Sequence, residues 1–402
     1  DLAGLLGLVP ASGQLAEGYL LVDGATPVGA GIVGETMQFH GTAGLFSLDG
    51  AASLATLYSS ASNPTIYPAV TLNAVGANGG QAAAFAYDLA TSIVYTRQGN
   101  PAWEGQDRDG FPPVRSNDLF YGASESDPQP DWVDLGKVDI PQADEQQRFL
   151  ANLILEMSRD QQPLPRFWYV PRGERAVVVL TGDDHAVLTP GDVFDRLDEL
   201  SPAGCAVEDW ECLRMSLYVY PSTNLTNTEA AAYVANGFEV GSHVSTGCAD
   251  FDADSLNSDL TRDLGEFAGS YPSVPAPVSN RYHCIAWSDW ATGATGAFNY
   301  GIRFDTNYYY WPPGWVNDTP GFFTGSAMPM RFADLDGTLI DVFQSATQMT
   351  DESGQNYPFT VDTLLDRALG AEQYFGAFTV NAHTDGVFPA IHEAIARSAL
   401  AR

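Results

Sequence analysis

In the second half of the chain, one apolar run after another stops at a polar residue able to do chemistry. RAVVVLTGDDHA runs through Ala176 to Leu180 into Asp183 and Asp184, and FEVGSHV carries His243 at its far end. SNRYHC brings Arg281 and His283, GIRFDTN brings Asp305, and FGAFTVNAH ends on His383. Short β-branched runs bounded by turn residues read as buried strands, and helical stretches such as TNTEAAAYVANG stand between them. Strands alternating with helices predict a parallel α/β sheet, whose carboxyl edge is where such folds build active sites.

The first half reads differently. YPAVTLNAV (Tyr67 to Val75) and TSIVYT (Thr91 to Thr96) are short apolar runs, AAAFAYDLATSIVY has helical amphipathicity, and PQADEQQRFLANLILEMSRD predicts a stronger helix with Asp144 placed to cap it. Mixed signals of this kind predict a smaller α/β unit of flavodoxin-like type over residues 1–165, followed by a catalytic unit over 166–402. The junction falls in SRDQQPLPRFWYVPRGE, where prolines interrupt any helix. A Gly-, Pro- and Asp-rich stretch from Asn100 to Asp131 is too long for a plain connection and is expected to cover a neighbouring surface.

Composition narrows the partners. The 402 residues carry 50 acidic against 18 basic side chains, a formal charge of −32, with Lys137 the only lysine. Such a surface repels nucleic acid and anionic membranes. It suits solubility in high salt, or is simply acidic with no such role, and activity measured against salt separates the two. No run approaches the roughly 18 apolar residues of a membrane span, and DLAGLLGLVP lacks the basic start of a signal peptide, so a processed, soluble chain is expected. Four cysteines without a CxxC spacing argue against a structural zinc site. Of the three pairings they allow, Cys205 with Cys212 and Cys248 with Cys284 is the one expected, which places the chain in an oxidising, extracytoplasmic or secreted setting.

The five strand ends resemble, in order, the motifs of the NodB-homology polysaccharide deacetylases. That resemblance implies a distorted (β/α) barrel and a divalent metal, zinc first, acting on an acetylated amino-sugar polymer or oligomer. It implies Asp183 as general base, Asp184 and His243 as metal ligands, Arg281 as the group that holds the base ionised, and His383 as general acid. Asp305, paired with Trp311, corresponds to the fourth motif and is expected to orient Arg281 or His383. A backbone N–H near Tyr282 would face the oxyanion. The family's second motif carries another histidine four residues after the first, where this chain has Gly247. His283 is the expected replacement ligand, with His185 and then Asp250 behind it. A catalytic zinc normally takes three protein ligands, so two would hold it poorly.

Aromatic residues crowd the same region. Tyr282, Trp287, Tyr310 and Trp311 are the expected sugar-binding faces, within a set that includes Trp290, Tyr308, Tyr309 and Trp315. The first half weakly resembles glutamine-amidotransferase-like domains, without cysteine and therefore without that family's nucleophile; His40 reads as structural, and Glu35 accompanies it. Three other functions stay open: a silent glycan-binding relative, a metal-dependent O-acetyl esterase, and a glycoside hydrolase with two opposed carboxylates. No GxSxG elbow supports serine-hydrolase chemistry.

Overall fold

The computed structural model describes residues 2–121, 131–160, 163–165, 170–184, 190–309, 321–322, 324–325, 328–350, 361–370, 374, 376–384 and 390–401. After a short helix α1 (Leu2–Leu6), the first half contains β1 (Leu8–Ala16), β2 (Tyr19–Val22), β3 (Met37–Gln38), β4 (Thr42–Leu48), β5 (Ala52–Ser60), β6 (Asn63–Val75) and β7 (Gly80–Phe85). Then come α2 (Leu89–Gln98) and α3 (Gln142–Ser158). β1 pairs with β4, and the other five form one sheet in the order β3-β2-β5-β6-β7.

Every pairing in this smaller sheet is antiparallel, which corrects the flavodoxin-like expectation for it. The reason lies in the connections. β6 returns to β7 through a tight turn with Gly76 and Gly79 at positive φ, leaving no chain for a crossover helix. The same pairing takes Ala82 to Phe85 out of the expected helix, because Ala82, Ala83 and Ala84 find partners on β6 at Asn73, Leu72 and Thr71. The helix starts later, where the Asp88 carboxylate accepts the backbone N–H of Thr91 at 3.1 Å. Asp144 sits inside the first turn of α3 and does not cap it, Pro141 being the residue at that end.

The second half alternates as its sequence predicts: β8 (Ala176–Asp183), α4 (Pro190–Leu200), β9 (Met215–Val219), α5 (Asn227–Ala235), β10 (Glu239–Val244), α6 (Ala253–Ser270), β11 (Ser279–Tyr282), α7 (Thr292–Asn299) and β12 (Phe304–Asp305). It continues with β13 (Met330–Ala333), β14 (Leu339–Gln344), β15 (Thr347–Thr350), α8 (Val361–Leu369), β16 (Gly376–His383) and α9 (Ala390–Leu400). Local signals set several helix starts. Thr226 and Glu229 form a reciprocal cap on α5, and Asp252 caps α6 through the N–H of Ser255.

These strands form a nine-stranded, mostly parallel sheet in the order β13-β14-β12-β11-β10-β9-β8-β16-β15, with β13 antiparallel at one edge. The sheet curls back on itself. β14 pairs with β12, and the chain just beyond β12 meets β15 through a parallel bridge between Tyr309 and Thr347. β15 in turn pairs with β16. β14 and β15 are thus successive lengths of one path between β12 and β16, and the result is a distorted (β/α) barrel.

The two halves are joined by buried polar contacts. Arg97, at the end of α2, donates from Nε to Gln344 Oε1 at 2.9 Å and from a terminal nitrogen to the Met328 carbonyl at 2.6 Å. Gln98 exchanges two hydrogen bonds with the backbone of Ala333. The described part of the Asn100 to Asp131 stretch lies on the barrel: Trp287 N donates to Val114 O at 2.8 Å, and Arg115 Nε donates to Cys284 O at 2.9 Å. Among the described residues, buried apolar side chains form a cluster that runs through both halves, from Leu20 and Phe39 to Phe120, Tyr308 and Val380.

Candidate active site

Parallel register decides which strand ends meet. Asp183 on β8 is level with His383 on β16, and His243 on β10 is level with Arg281 on β11. Residues level on neighbouring parallel strands point to one face, so the four side chains converge. Asp183 Oδ1 lies 3.5 Å from Arg281 Nε, and Oδ2 lies 3.6 Å from His383 Nε2 and 3.8 Å from His243 Nε2. Asn381 donates to Oδ1 from two residues before His383. Burial alone would raise the Asp183 pKa, but the positive charge of Arg281, then His383 and His243, overrides it and holds the carboxyl well below the usual range. Asp183 is therefore an ionised, buried carboxylate at neutral pH.

Arg281 is itself fixed, donating to the Thr306 carbonyl at 2.9 Å and Thr347 Oγ1 at 3.2 Å, with Tyr309 beneath its guanidinium. Asp184, next to Asp183 in the chain, is buried and accepts from Thr384 Oγ1 at 3.1 Å.

His243 Nδ1 lies 3.2 Å from the carbonyl of Arg281, and a proton shared there leaves Nε2 with its lone pair. That Nε2 faces His283 Nδ1 at 3.3 Å. Two nitrogens bound to one tetrahedral zinc at about 2.0–2.1 Å stand roughly that far apart, so the pair fits a divalent ion as well as a shared proton. Among the described residues, Asp184 does not bring an oxygen within 4.8 Å of both nitrogens at once. His283 also has both sulfurs of Cys248 and Cys284 nearby. They are joined to each other and carry no thiolate charge to bind metal with.

The disulfides are Cys205–Cys212 and Cys248–Cys284, with Cα separations of 5.3 and 5.4 Å. The second ties the segment after His243 to the turn bearing His283. Gly247 stands at φ +69°, a left-handed conformation that favours glycine. Asp250 turns away, accepting the N–H of Val114 at 2.8 Å. His185 lies outside the described residues.

Three expectations are corrected. Tyr282 offers neither ring nor N–H to a substrate: the side chain is buried with its hydroxyl on the Gly293 carbonyl, and its N–H donates to Asn307 Oδ1 at 2.8 Å. Trp287 is core, stacked on Phe332 beneath the Val114 segment. Asp305 is level with Asn280, one residue before Arg281, so alternation turns it to the opposite face. Its oxygens accept from Asn307 Nδ2 at 2.6 Å, Asn307 N at 3.0 Å and Asn280 Nδ2 at 3.3 Å. Asn307 passes that order to the β11 turn through Tyr282 N, so Asp305 is a scaffold residue. Tyr310 and Trp311 lie outside the described residues. His40 is buried, stacked on Trp132 and paired with Glu17, and Glu35 meets Lys137 at the surface.

Burial pushes the Asp305 carboxyl up to about 6, with the Asn307 and Asn280 hydrogen bonds opposing. The unfolded chain releases this proton near pH 4 and the folded chain near 6, so between those values the folded state binds more protons and stability falls as pH rises. Asp305→Asn is expected to remove about 3 kcal/mol of that fall, read by comparing urea midpoints of both proteins from pH 4 to 7. An unchanged slope would refute the assignment.

Sequence reading missed Asn381, Thr384 and Tyr220. Asn381 could have been found, since it precedes His383 by two on a strand and so shares its face. Tyr220, just past β9, presents its half-buried ring edge-on to His243 and His283 at 5.1 and 5.8 Å. Its apolar run, MSLYVY, ends in a residue that carries no obvious chemistry.

No protein-family model matches the chain, and no curated protein matches it in sequence. Three solved structures are similar in chain path. A Mycobacterium smegmatis protein described as a polysaccharide deacetylase is 18% identical over 59% of this chain and 85% of its own, with a TM-score of 0.39. Puue allantoinase is 10% identical, covering 59% and 87%, at 0.35. The catalytic domain of a peptidoglycan N-acetylglucosamine deacetylase from Eubacterium rectale is 12% identical, covering 57% and 85%, at 0.28. At such identities the site has to be read from its own geometry.

Proposed function

We propose that the chain is a metal-dependent hydrolase that removes acetyl groups from an N-acetylated amino-sugar polymer or oligomer. The observation that carries this reading is one buried, ionised carboxylate, Asp183, ringed by Arg281, His243 and His383 at the carboxyl edge of a barrel. His243 and His283 would hold the ion, with Asp184 as the carboxylate that the family resemblance assigns to it. When bound, a divalent ion supplies a Lewis acid that polarises the scissile carbonyl and acidifies water.

Asp183 Oδ2 takes the proton from the attacking water, while Arg281 and Asn381 keep Oδ1 aimed and charged. A carboxylate held this low draws protons from ordinary water poorly, which is the physical reason an acidifying ion belongs here. His383, one-fifth exposed, stands beside the same oxygen at 3.6 Å and is placed to protonate the departing amine. The division into an accessory unit over 1–165 and a catalytic unit over 166–402 belongs to this proposal, as does a secreted or extracytoplasmic location, which the two disulfides support.

Acetate release from N-acetylated and O-acetylated glycans, before and after chelation and after zinc is restored, tests the reading. Metal-restored release from the N-acetylated polymer is expected. Release only from O-acetylated substrates would make the protein an esterase, and activity indifferent to chelation would point to two-carboxylate glycoside chemistry. Gly247, in place of the family's second histidine, favours a second reading as a silent glycan-binding relative. Glycan binding with neither bound metal nor affinity for added zinc would establish it.

A further inference from the structure

A histidine stands against the Cys248–Cys284 bridge. One nitrogen of His283 and the two sulfurs lie within 4.8 Å of one another. The cysteines are 36 residues apart in the chain, so only the fold produces this grouping. Neither cysteine is buried, which leaves the bridge within reach of a reductant in solution. The backbone around it is unusual. Cys248, Cys284 and Ile285 stand at φ +53°, +61° and +47°, the left-handed region that L-residues rarely adopt and a β-branched residue least of all. Residues held in that region gather at ligand clamps and switch segments.

Both sides of the bridge are anchored without it. On the Cys248 side, Ser245 N donates to Asp263 Oδ2 at 2.7 Å, Phe251 N to Ser288 Oγ at 2.8 Å, and Asp250 accepts from Val114 N at 2.8 Å. On the Cys284 side, Arg115 Nε donates to the Cys284 carbonyl at 2.9 Å, and Trp287 N donates to Val114 O at 2.8 Å. Val114 thus holds one strap to each side. Opening the bridge would leave two thiols side by side next to an imidazole, with little chain entropy left to lose on binding a ligand. The Cα atoms are 5.4 Å apart. A tetrahedral zinc holds two sulfurs ~3.8 Å apart at Zn–S of about 2.3 Å, a spacing such side chains reach by rotation about χ1.

We infer that Cys248, Cys284 and His283 form a second, sulfur-rich zinc site once the bridge is reduced. The step needs a dithiol reductant. Thiol–disulfide exchange passes two electrons from it to the bridge: the S–S bond breaks, both protons of the dithiol end on the cysteine sulfurs, and the reductant leaves as its own disulfide. Zn2+ then bonds both sulfurs and displaces their two protons to solvent. Two thiolates and an imidazole are donors that suit zinc, and three protein ligands leave a fourth place for water. His283 Nδ1 faces His243 Nε2 at 3.3 Å, so one imidazole borders both sites. A consequence rests on the hydrolase reading above: zinc drawn to the sulfurs leaves the His243 side, and activity falls while zinc stays bound.

The test uses the full chain, stripped of metal, reduced with dithiothreitol, desalted under nitrogen and titrated with CoCl2, Co2+ standing in for zinc because it absorbs. Sulfur bound to Co2+ gives a near-ultraviolet charge-transfer band that nitrogen and oxygen ligands do not. A band saturating at about one Co2+ per chain is expected in the reduced parent and in Cys205→Ser/Cys212→Ser, which removes the other pair of thiols. It should be absent from the oxidised parent and from reduced Cys248→Ser/Cys284→Ser, and His283→Ala should weaken the binding about tenfold or more. If Cys205→Ser/Cys212→Ser fails to fold, the parent against Cys248→Ser/Cys284→Ser decides. No band in the reduced parent, or an equal band in reduced Cys248→Ser/Cys284→Ser, overturns the site. The band needs no substrate, so its absence from a protein that deacetylates when oxidised sinks this inference alone, and its presence in an inactive protein leaves the inference standing.

Discussion

Asp183→Asn is expected to lower kcat for acetyl release by about a thousandfold while the protein keeps its metal. Asparagine preserves the shape and can still accept from Asn381, but it cannot take a proton from water. It also leaves Arg281 buried without its counter-charge. A stability loss on the order of 3 kcal/mol is therefore expected alongside, and circular dichroism with metal analysis must show a folded, loaded protein before the rate is interpreted. Because the folded pKa of Asp183 is depressed, its stabilising contribution is present above the ordinary carboxylate pKa and disappears as pH falls through and below it; the variant should lack that acid-side loss. Turnover within tenfold of the parent would remove Asp183 from the role of base.

His283→Ala is expected to cut zinc occupancy from about one per chain to under a tenth at equal protein and metal concentration, since two remaining ligands hold a catalytic zinc poorly. The fold should persist, because the Cys248–Cys284 disulfide and the Arg115 contact still fix the turn. Loss of activity without loss of metal would mean that His283 works through its hydrogen bond to His243. Full occupancy with full activity would exclude it from the site altogether. Elemental analysis and rate measurement on the same sample tell these outcomes apart.

Much of the barrel could be read locally, because β8 and β16 are apolar runs that end on Asp183 and His383, and β10 carries His243 near its end. The disulfide pairs were legible for a similar reason: few cysteines, unevenly spaced, leave few sensible partners. Residues such as Trp287 and Tyr282 were not. An aromatic side chain is equally suited to stacking on a sugar or on Phe332, and only the neighbouring loop, lying over the turn at Val114, makes it core. Asp305 shows the same limit in a charged residue, since the face it occupies depends on which residue of β11 it lies beside.

The smaller sheet failed differently. Its alanine-rich strand carries no strong periodicity of its own, and pairing with β6 overrode the helix signal. By itself, the sequence determined that chemically able residues would stand at strand ends, because period and punctuation are properties of neighbours along the chain. The tertiary structure alone decided that Asp183 meets His383, that His243 meets Arg281 and His283, and that Asn381 steadies the carboxylate. Those meetings depend on the register between strands far apart in sequence, set by the packing of the whole barrel, and a shift of one residue would turn each side chain to the other face.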